Sequence, residues 1–446
     1  MSEEECLIAD RVIVIGAGLA GSEAAWQLAK RGVRVSLYEM RPQKMTPAHQ
    51  GAYFAELVCS NSLRAISINN AVGLLKEEMR FLDSLIIKCA LATRIPAGGA
   101  LAVDREEFAR LVTRTLQDHP LVDIYFDELK ELPKERPVII ATGPLTSPAL
   151  ASELERLTGL GKLYFFDAAA PILTYESINM EKVFFSSRYN KGGEDYLNCP
   201  MNKEEYELFW SELIKGEIAE RKVFEKEIFF EGCMPLEVLA KRGKDTLRFG
   251  PLKPVGISLP SSDEQPYAVV QLRRDNREGT LYNMVGFQTR LKWTEQKRIF
   301  SLIPGLEYAE FVRYGVMHRN IFINSPLLLH PTLEMKDYQG IFFAGQITGV
   351  EGYVESAATG LIAGINACCL VNGDQMLIFP EETSLGGLTR YIATADPSNF
   401  QPMNVNFGLL PGLSFKTAKQ KRKQLLAERS MEILSRFRKK FHKQLA

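Results

Sequence analysis

The chain has 446 residues, 46% of them hydrophobic and 24% charged, and 54 Lys and Arg balance 54 Asp and Glu. Such a chain can bury a large core and divide into two or three domains. Zero net charge excludes an overall field that attracts nucleic acid, so a polyanionic partner would need a local basic patch.

No apolar run approaches the roughly 18 residues a membrane span needs, and Met1 to Asp10 is acidic without a hydrophobic centre. The expectation is a cytoplasmic protein with no membrane contact. Seven cysteines are scattered without C-x-x-C or a metal-ligand spacing, so neither a disulfide framework nor a bound metal is indicated. Any functional cysteine is then a thiol.

Residues 11–41, RVIVIGAGLAGSEAAWQLAKRGVRVSLYEMR, read as strand, turn, helix and second strand. Val12 to Ile15 is β-branched, and Ala24, Ala25, Leu28 and Ala29 recur at helical spacing until Gly32. Between them Gly16, Ala17, Gly18, Leu19, Ala20 and Gly21 form G-x-G-x-x-G. Gly16 allows the tight turn, Gly18 lets a pyrophosphate reach backbone amides at a helix N-terminus, and Gly21 lets helix and strand pack closely. Glu39, about 20 residues on, is the carboxylate that accepts the ribose hydroxyls of an adenosine.

Next come a polar segment to Gln50, then FAELVCSNSLRA (54–65), then a helix expected over 73–90. The middle piece gathers Cys59, Ser60, Asn61, Ser62 and Arg64, more groups able to face one centre than an ordinary loop carries. Residues 96–103 read as a turn and strand, 105–117 as a helix, and 138–140 as a strand ending in Ala141, Thr142 and Gly143. Small residues there let backbone pass beneath a cofactor.

Residues 151–325 change to aromatic-rich strands and short loops, read as an inserted α+β domain. The nucleotide-binding texture then returns over 326–371, with a strand at 341–343, a turn holding Gly345 and Gln346, and a small-residue helix from Val354 to Ala367. A sheet begun in residues 1–150 and finished near 345 suits FAD better than NAD, whose domain is usually continuous. The fold expected is therefore α/β, an FAD-binding Rossmann-like domain of the glutathione-reductase type with an insertion. Residues 372–446 form a C-terminal segment. From Phe415 onward it has eleven Lys or Arg against Glu428 and Glu432, with Leu426, Ile433, Phe437 and Phe441 on one stripe. Two readings stand open for this basic helix: a stripe docked on the core, or a polyanion contact.

Among the cysteines, Cys89, Cys368 and Cys369 lie in apolar helices and read as core. Cys199 is undecided. Cys59 and Cys233 sit beside polar residues or glycine, in segments unlike core.

In order, IGAGLAGSEAAWQLAKRG, YEMRP, FAELVCSNSLRA, PAGGALAVDR, ATGPLTS, FFEGCMPLEV, GFQTRLKW and FFAGQITGVEGYVESAATG resemble the folate- and FAD-dependent tRNA uracil-5-methyltransferases, the TrmFO family. The resemblance implies a bacterial enzyme that makes 5-methyluridine in the T-loop of tRNA. It takes the carbon from 5,10-methylenetetrahydrofolate and electrons from FAD reduced by NADPH or NADH, and it needs no obligate protein partner. It adds Arg41, in YEMRP, to the cofactor residues, together with Gly143, Gly345 and Gln346. Its two functional cysteines map onto Cys59 and Cys233. We assign Cys233 to attack at uracil C6 and Cys59 to remove the C5 proton, with the reverse assignment open. A thiol near pKa ~8.5 needs help to ionise, and Arg64 or an amide near Asn61 is the expected source.

Two positions depart from expectation. Arg290 stands where the family usually has His stacked on the folate, leaving a stacked guanidinium or a surface Arg. Gln346 stands where most flavoproteins have a Gly-Asp pair. The more distant resemblance is to the flavoprotein that modifies the tRNA wobble uridine, which shares that Gln, and a plain NAD(P)H-dependent flavin oxidoreductase is the other alternative.

Overall fold

The computed structural model describes residues 8–159, 163–190, 193–219, 234–260, 262, 264–315, 317–415 and 417–445. Its first part runs β1 (Ile8–Ile15), α1 (Leu19–Ala29), β2 (Arg34–Tyr38), β3 (Ser62–Ala65), α2 (Ala71–Phe81), α3 (Leu85–Ala92), β4 (Arg94–Ile95), β5 (Ala100–Val103), α4 (Arg105–Gln117), β6 (Val122–Tyr125), β7 (Arg136–Ile140) and α5 (Pro148–Thr158). The second runs β8 (Leu163–Ala168), β9 (Ile172–Thr174), β10 (Phe184–Ser186), β11 (Tyr196–Met201), α6 (Lys203–Lys215), α7 (Leu236–Lys241), α8 (Thr246–Phe249), β12 (Ala268–Arg274), β13 (Leu281–Met284), α9 (Trp293–Phe300), β14 (Phe311–Arg313) and β15 (Met317–Phe322). The last runs α10 (Ser325–Leu328), β16 (Ile341–Phe343), α11 (Tyr353–Val371), α12 (Ser384–Thr394), α13 (Lys419–Lys440) and α14 (His442–Leu445).

Five strands in the order β16-β7-β1-β2-β6 make one parallel sheet, so the strand near residue 342 pairs with those of the first 140 residues. Val12 and Val14 of β1 are fully buried, as the β-branched run requires of a central parallel strand. The small residues of α11 have a packing reason. A Cβ on Gly360 would lie 2.1 Å from the Ala20 carbonyl oxygen, and one on Gly364 2.8 Å from that of Ala24, so α11 crosses α1 backbone to backbone. Among the described residues α11 alone is long and apolar enough to cross a membrane, and 89% of its most apolar window is buried inside the fold.

The expected helix over 73–90 is two helices. Asp83 takes φ +62°, Ser84 caps α3 by accepting from the Ile87 amide, and the buried Glu23 carboxylate accepts from Ser84 Oγ at 2.7 Å and from the Ile86 amide at 2.9 Å. A helix start satisfied so fully competes with continuation.

Six antiparallel strands, β10-β11-β12-β13-β9-β14, form the second sheet, and it has its own core around Leu197, Phe209, Leu272, Phe287 and Phe300. β8 and β15, the strands entering and leaving this region, pair antiparallel with each other. The exit strand is tied back to the first region, because the Ile321 amide donates to the Pro144 carbonyl at 3.0 Å.

The basic tail is helical and docks on the core: of the expected stripe Leu426 is buried, Phe437 and Phe441 pack half-buried against the core and Ile433 is half-buried, while Ala427 and Leu434 are buried beside them. Ser430 Oγ donates to the buried Glu78 carboxylate at 2.6 Å, and that carboxylate also accepts the Ser384 and Leu385 amides at the start of α12. Arg438 donates to the Phe81 carbonyl at 2.8 Å with its guanidinium over the Phe81 ring. It belongs to the docking and not to an outward basic face. Lys421, Arg422, Lys423, Lys439 and Lys440 are exposed.

Candidate active site

A cleft of about 1040 Å³ runs along the strand ends where β1, β2, β7 and β16 meet α1. Gly16, Gly18, Leu19, Ala20, Glu39, Arg41, Gly143, Gly345 and Gln346 line it. Ala17 and Gly21 shape it from behind. The Ala17 amide donates to Glu39 Oε2 at 3.0 Å, and a Cβ on Gly21 would lie 1.7 Å from the Gly16 carbonyl oxygen. Gly16 itself has φ +96° and no room for a side chain. Gly18 is different, since a Cβ there would meet nothing within 4 Å and would project into open space at the α1 N-terminus. That is a cradle shaped for a pyrophosphate.

Glu39 Oε1 accepts from the amide and Nε of Arg41, both at 3.0 Å. Arg41 is 2% exposed, and its Nη1 donates to the Gly51 carbonyl at 3.1 Å and to Glu56 Oε2 at 3.2 Å. It thus braces the adenosine end of the cleft by tying β2 to the loop at 50–56.

A second cavity of about 1360 Å³ adjoins the first and shares Val58, Pro144, Leu145, Gln346, Tyr353 and Ser356 with it. Cys59 lines this second cavity. Tyr353, the first residue of α11, accepts the Cys59 amide at 2.7 Å and the Ser60 amide at 3.2 Å, and its hydroxyl donates to Cys59 Sγ at 3.0 Å. Burial, with the charge of Cys59 second, holds the Tyr353 phenol well above its ordinary range, so it stays a donor to the sulfur.

Around the thiol stand bonded cations. Arg273 is 6% exposed and donates to Asn61 Oδ1 at 3.0 Å and Ser60 Oγ at 2.8 Å. Arg105 pairs with Asp275 at 2.8 Å and also donates to the Leu57 carbonyl. Arg64 lines the cavity and pairs with Glu355, the Asn61 side chain holds the Val103 and Arg274 carbonyls, and Tyr353 donates to the Cys59 sulfur. Sequence spacing holds no hint of that pair, which is separated by 294 positions.

Cys233 lies outside the described residues, yet the chain on both sides of it is anchored. Before it, Ile218 bridges Leu291 and the Ala219 amide donates to the Arg290 carbonyl; after it, the Leu236 amide donates to the Gln288 carbonyl. Gln288 lines the Cys59 cavity, so the Leu236 flank is held at that wall, and the Ile218–Ala219 flank is held two to three residues further along the same stretch. Arg290 itself lines neither cavity. It is 6% exposed with Nε 3.5 Å from the Glu237 carboxylate, which corrects the reading of a surface Arg. Glu237, raised by burial, also accepts the Arg290 amide and Thr289 Oγ1, fixing α7 to the 289–290 turn.

The other cysteines among the described residues are core. Cys199 is fully buried on β11, and burial pushes its thiol far up; Cys89, Cys368 and Cys369 are buried and shifted the same way.

The family model "Glucose inhibited division protein A" matches residues 11–375. Proteins named methylenetetrahydrofolate–tRNA-(uracil-5-)-methyltransferase TrmFO are similar almost end to end. That of Desulforamulus reducens is 65% identical over 425 residues, covering 95% of this chain and 96% of its own length. The chain belongs to the TrmFO family. The TrmFO of Pelotomaculum thermopropionicum is 62% identical, covering 96% of this chain and 98% of its own, and that of Listeria monocytogenes is 62% identical, covering 95% and 98%. Aquifex aeolicus GidA, in its form II crystal, shares the fold with a TM-score of 0.69 at 16% identity over 99% of this chain and 75% of its own.

Proposed function

We propose that this chain is the enzyme that methylates C5 of a uracil in tRNA, with methylenetetrahydrofolate as carbon donor and FAD as cofactor. The observation that carries the reading is the Cys59 cavity opening directly onto the nucleotide cleft, with Tyr353 and Gln346 in the shared wall. Membership of the TrmFO family supports it. The cleft residues fit FAD: Glu39 suits an adenosine ribose, the open space at Gly18 suits a pyrophosphate, and the reach to Gln346 leads toward the second cavity. When bound, the flavin supplies the electron pair that turns a methylene carbon into a methyl group.

The chain's own residues supply the rest. Uracil C5 becomes nucleophilic when a thiolate adds to C6, and we assign that addition to Cys233. C5 then bonds the folate-borne carbon and loses its proton to Cys59, and as that proton leaves, the carbon's bond to the folate nitrogen breaks, the electron pair going to the nitrogen and the tetrahydrofolate departing. Reduction of that carbon by two electrons and a proton, the flavin's contribution when bound, restores the C5–C6 double bond and expels the Cys233 thiolate from C6. The Tyr353 hydroxyl stabilises negative charge on Cys59 Sγ before that proton arrives. Arg41 braces Glu39, and Arg273 fixes the Ser60–Asn61 turn that carries Cys59.

The T-loop as the place of the uracil, NADPH or NADH as the reductant and the cytoplasm as the compartment belong to the same proposal. So do the division at residues 150, 325 and 371 and the absence of an obligate protein partner. The test is to purify the protein, record its flavin spectrum, and supply tRNA with labelled methylenetetrahydrofolate or labelled S-adenosylmethionine. Yellow protein that labels tRNA from the folate alone supports the reading. Label from S-adenosylmethionine, or none from the folate, overturns it.

A further inference from the structure

Trp293, the first residue of α9, is 61% exposed, an unusual position for the largest apolar side chain. Its ring lies nearly parallel to that of Tyr314, with centroids 5.4 Å apart and planes at 13°. Tyr314 in turn stacks on Phe311 at 5.4 Å and 26°, and Phe311 packs against the core ring of Phe300. The indole is therefore the outer rung of a ladder rooted in the inserted sheet, with one face covered and the other open.

The ladder is held in register by one buried side chain. Gln296, with no exposed surface, donates to the Leu291 carbonyl at 2.7 Å and the Gly315 carbonyl at 2.8 Å, and accepts the Gly315 amide at 2.8 Å. The segment carrying Trp293 and the segment carrying Tyr314 are thus clamped together. No hydrogen bond among the described residues needs the Trp293 ring for this clamp.

The segment that carries the middle rung is tied on both sides to walls of the Cys59 cavity. Gly315, next to Tyr314, is packed so closely on Ala169 that an added Cβ would lie 2.9 Å from the Ala169 carbonyl oxygen, and Ala169 lines the Cys59 cavity. On the other side of Tyr314, Arg313 donates to the carbonyl of Ala48, another wall residue of that cavity. Lys292, which precedes Trp293 in the chain and is paired with Glu217, and Lys297, one helical turn beyond it, are both exposed.

We propose that Trp293, stacked on Tyr314 between two residues that pack on wall residues of the Cys59 cavity, is the platform on which an unpaired base of the tRNA loop stacks while the neighbouring uracil is in the cavity. The proposal rests on the tRNA-methylating reading above. A uracil presented to Cys59 must leave its own stack, which costs a few kcal/mol, and an aromatic face that receives an adjacent base offsets part of that cost. A π-face accepts any base, so the platform holds the loop without reading its sequence, and the Arg313 and Lys297 charges suit the adjoining phosphates.

Three tryptophans report on this directly, because Trp26 and Trp210 are partly buried with their indole N–H bonded to Asp83 and Ala240 carbonyls, whereas Trp293 is open. Titrating the flavin-loaded protein with T-arm RNA should quench fluorescence, and Trp293→Phe should abolish most of that change while keeping near-parent affinity. Trp293→Ala should raise the KM for tRNA about 5- to 100-fold, with the flavin spectrum and the KM for the folate at parent values. Trp293→Lys should not restore it, since a charge does not stack. Parent KM for tRNA in Trp293→Ala would overturn the proposal. So would a sedimentation change in Trp293→Ala without a change in that KM, which would give the face to a second copy of the chain. If the parent fails to methylate tRNA, the enzymatic reading falls, and the quenching titration still decides the platform: no Trp293-dependent quenching overturns it.

Discussion

The parallel and antiparallel sheets are held by different kinds of constraint. Around the parallel sheet, backbone approaches backbone: Gly21 against Gly16, Gly360 against Ala20, Gly364 against Ala24. Around the antiparallel sheet, buried amides and carboxylates do the joining. Asn198 donates to the Phe184, Ser186 and Tyr196 carbonyls and accepts from Gln271; Glu237 and Gln296 clamp the turns beyond the sheet. Close approach tolerates one residue type, so the first region is unforgiving at a few positions. A polar clamp loses bonds one at a time, so the second fails by degrees.

That contrast sets the sizes of the expected effects. Gly18→Val should give a folded protein without flavin, because the added branches enter open cleft space and touch no neighbouring wall. Absorbance of the purified variant checks it, and a retained flavin band would break the account of the cradle. Cys59→Ala should keep the flavin band and bind tRNA while turnover falls by about 10²- to 10⁴-fold, the scale of a lost general base. Single-turnover assays read that directly, and activity within tenfold of the parent would remove Cys59 from the chemistry.

Gln296→Leu sharpens the other side of the comparison. It leaves the Gly315 amide and two carbonyls without their partner, and should cost about 2–4 kcal/mol in denaturant unfolding with flavin still bound.

Glu78 gives a pH signature for docking of the C-terminal helices. Burial pushes its carboxyl from 4.5 to about 7. The folded state therefore favours the protonated form, so this group's contribution is full below 4.5 and is lost as pH rises through 7. The parent's unfolding free energy should fall across that window more steeply than that of Glu78→Gln.

The smallest effect belongs to the tail. Neutralising Lys421, Arg422, Lys423, Lys439 and Lys440, all exposed, should lower the salt slope of tRNA binding by about 0.7–0.9 for each phosphate left without its cation. An unchanged slope would leave α13 as a docked helix only.

How much of the molecule is legible in its sequence follows the same division. The G-x-G-x-x-G turn, Glu39 and the returning strand at 341–343 are readable because the nucleotide cleft restricts residue type at fixed spacing. The Glu23 cap that splits α2 from α3, the Tyr353–Cys59 bond and the Gln296 clamp are not, since each joins distant segments through side chains common everywhere. Arg290 shows the limit most plainly. Its neighbours in the chain suggest a ligand or the solvent, and its partner is Glu237, on a helix 53 positions earlier.

The most direct test of the central claim, that Cys59 beside the flavin cleft works with Cys233, is mass-spectrometric mapping of the adduct with tRNA bearing 5-fluorouridine in the T-loop. Fluorine at C5 cannot leave as a proton, so elimination stalls and the sulfur at C6 remains attached. The account predicts a covalent complex linked through Cys233, absent in Cys233→Ala. A bond at Cys59 would reverse the two roles. A bond at the buried Cys199, or no adduct with folate and reduced flavin present, would contradict the claim.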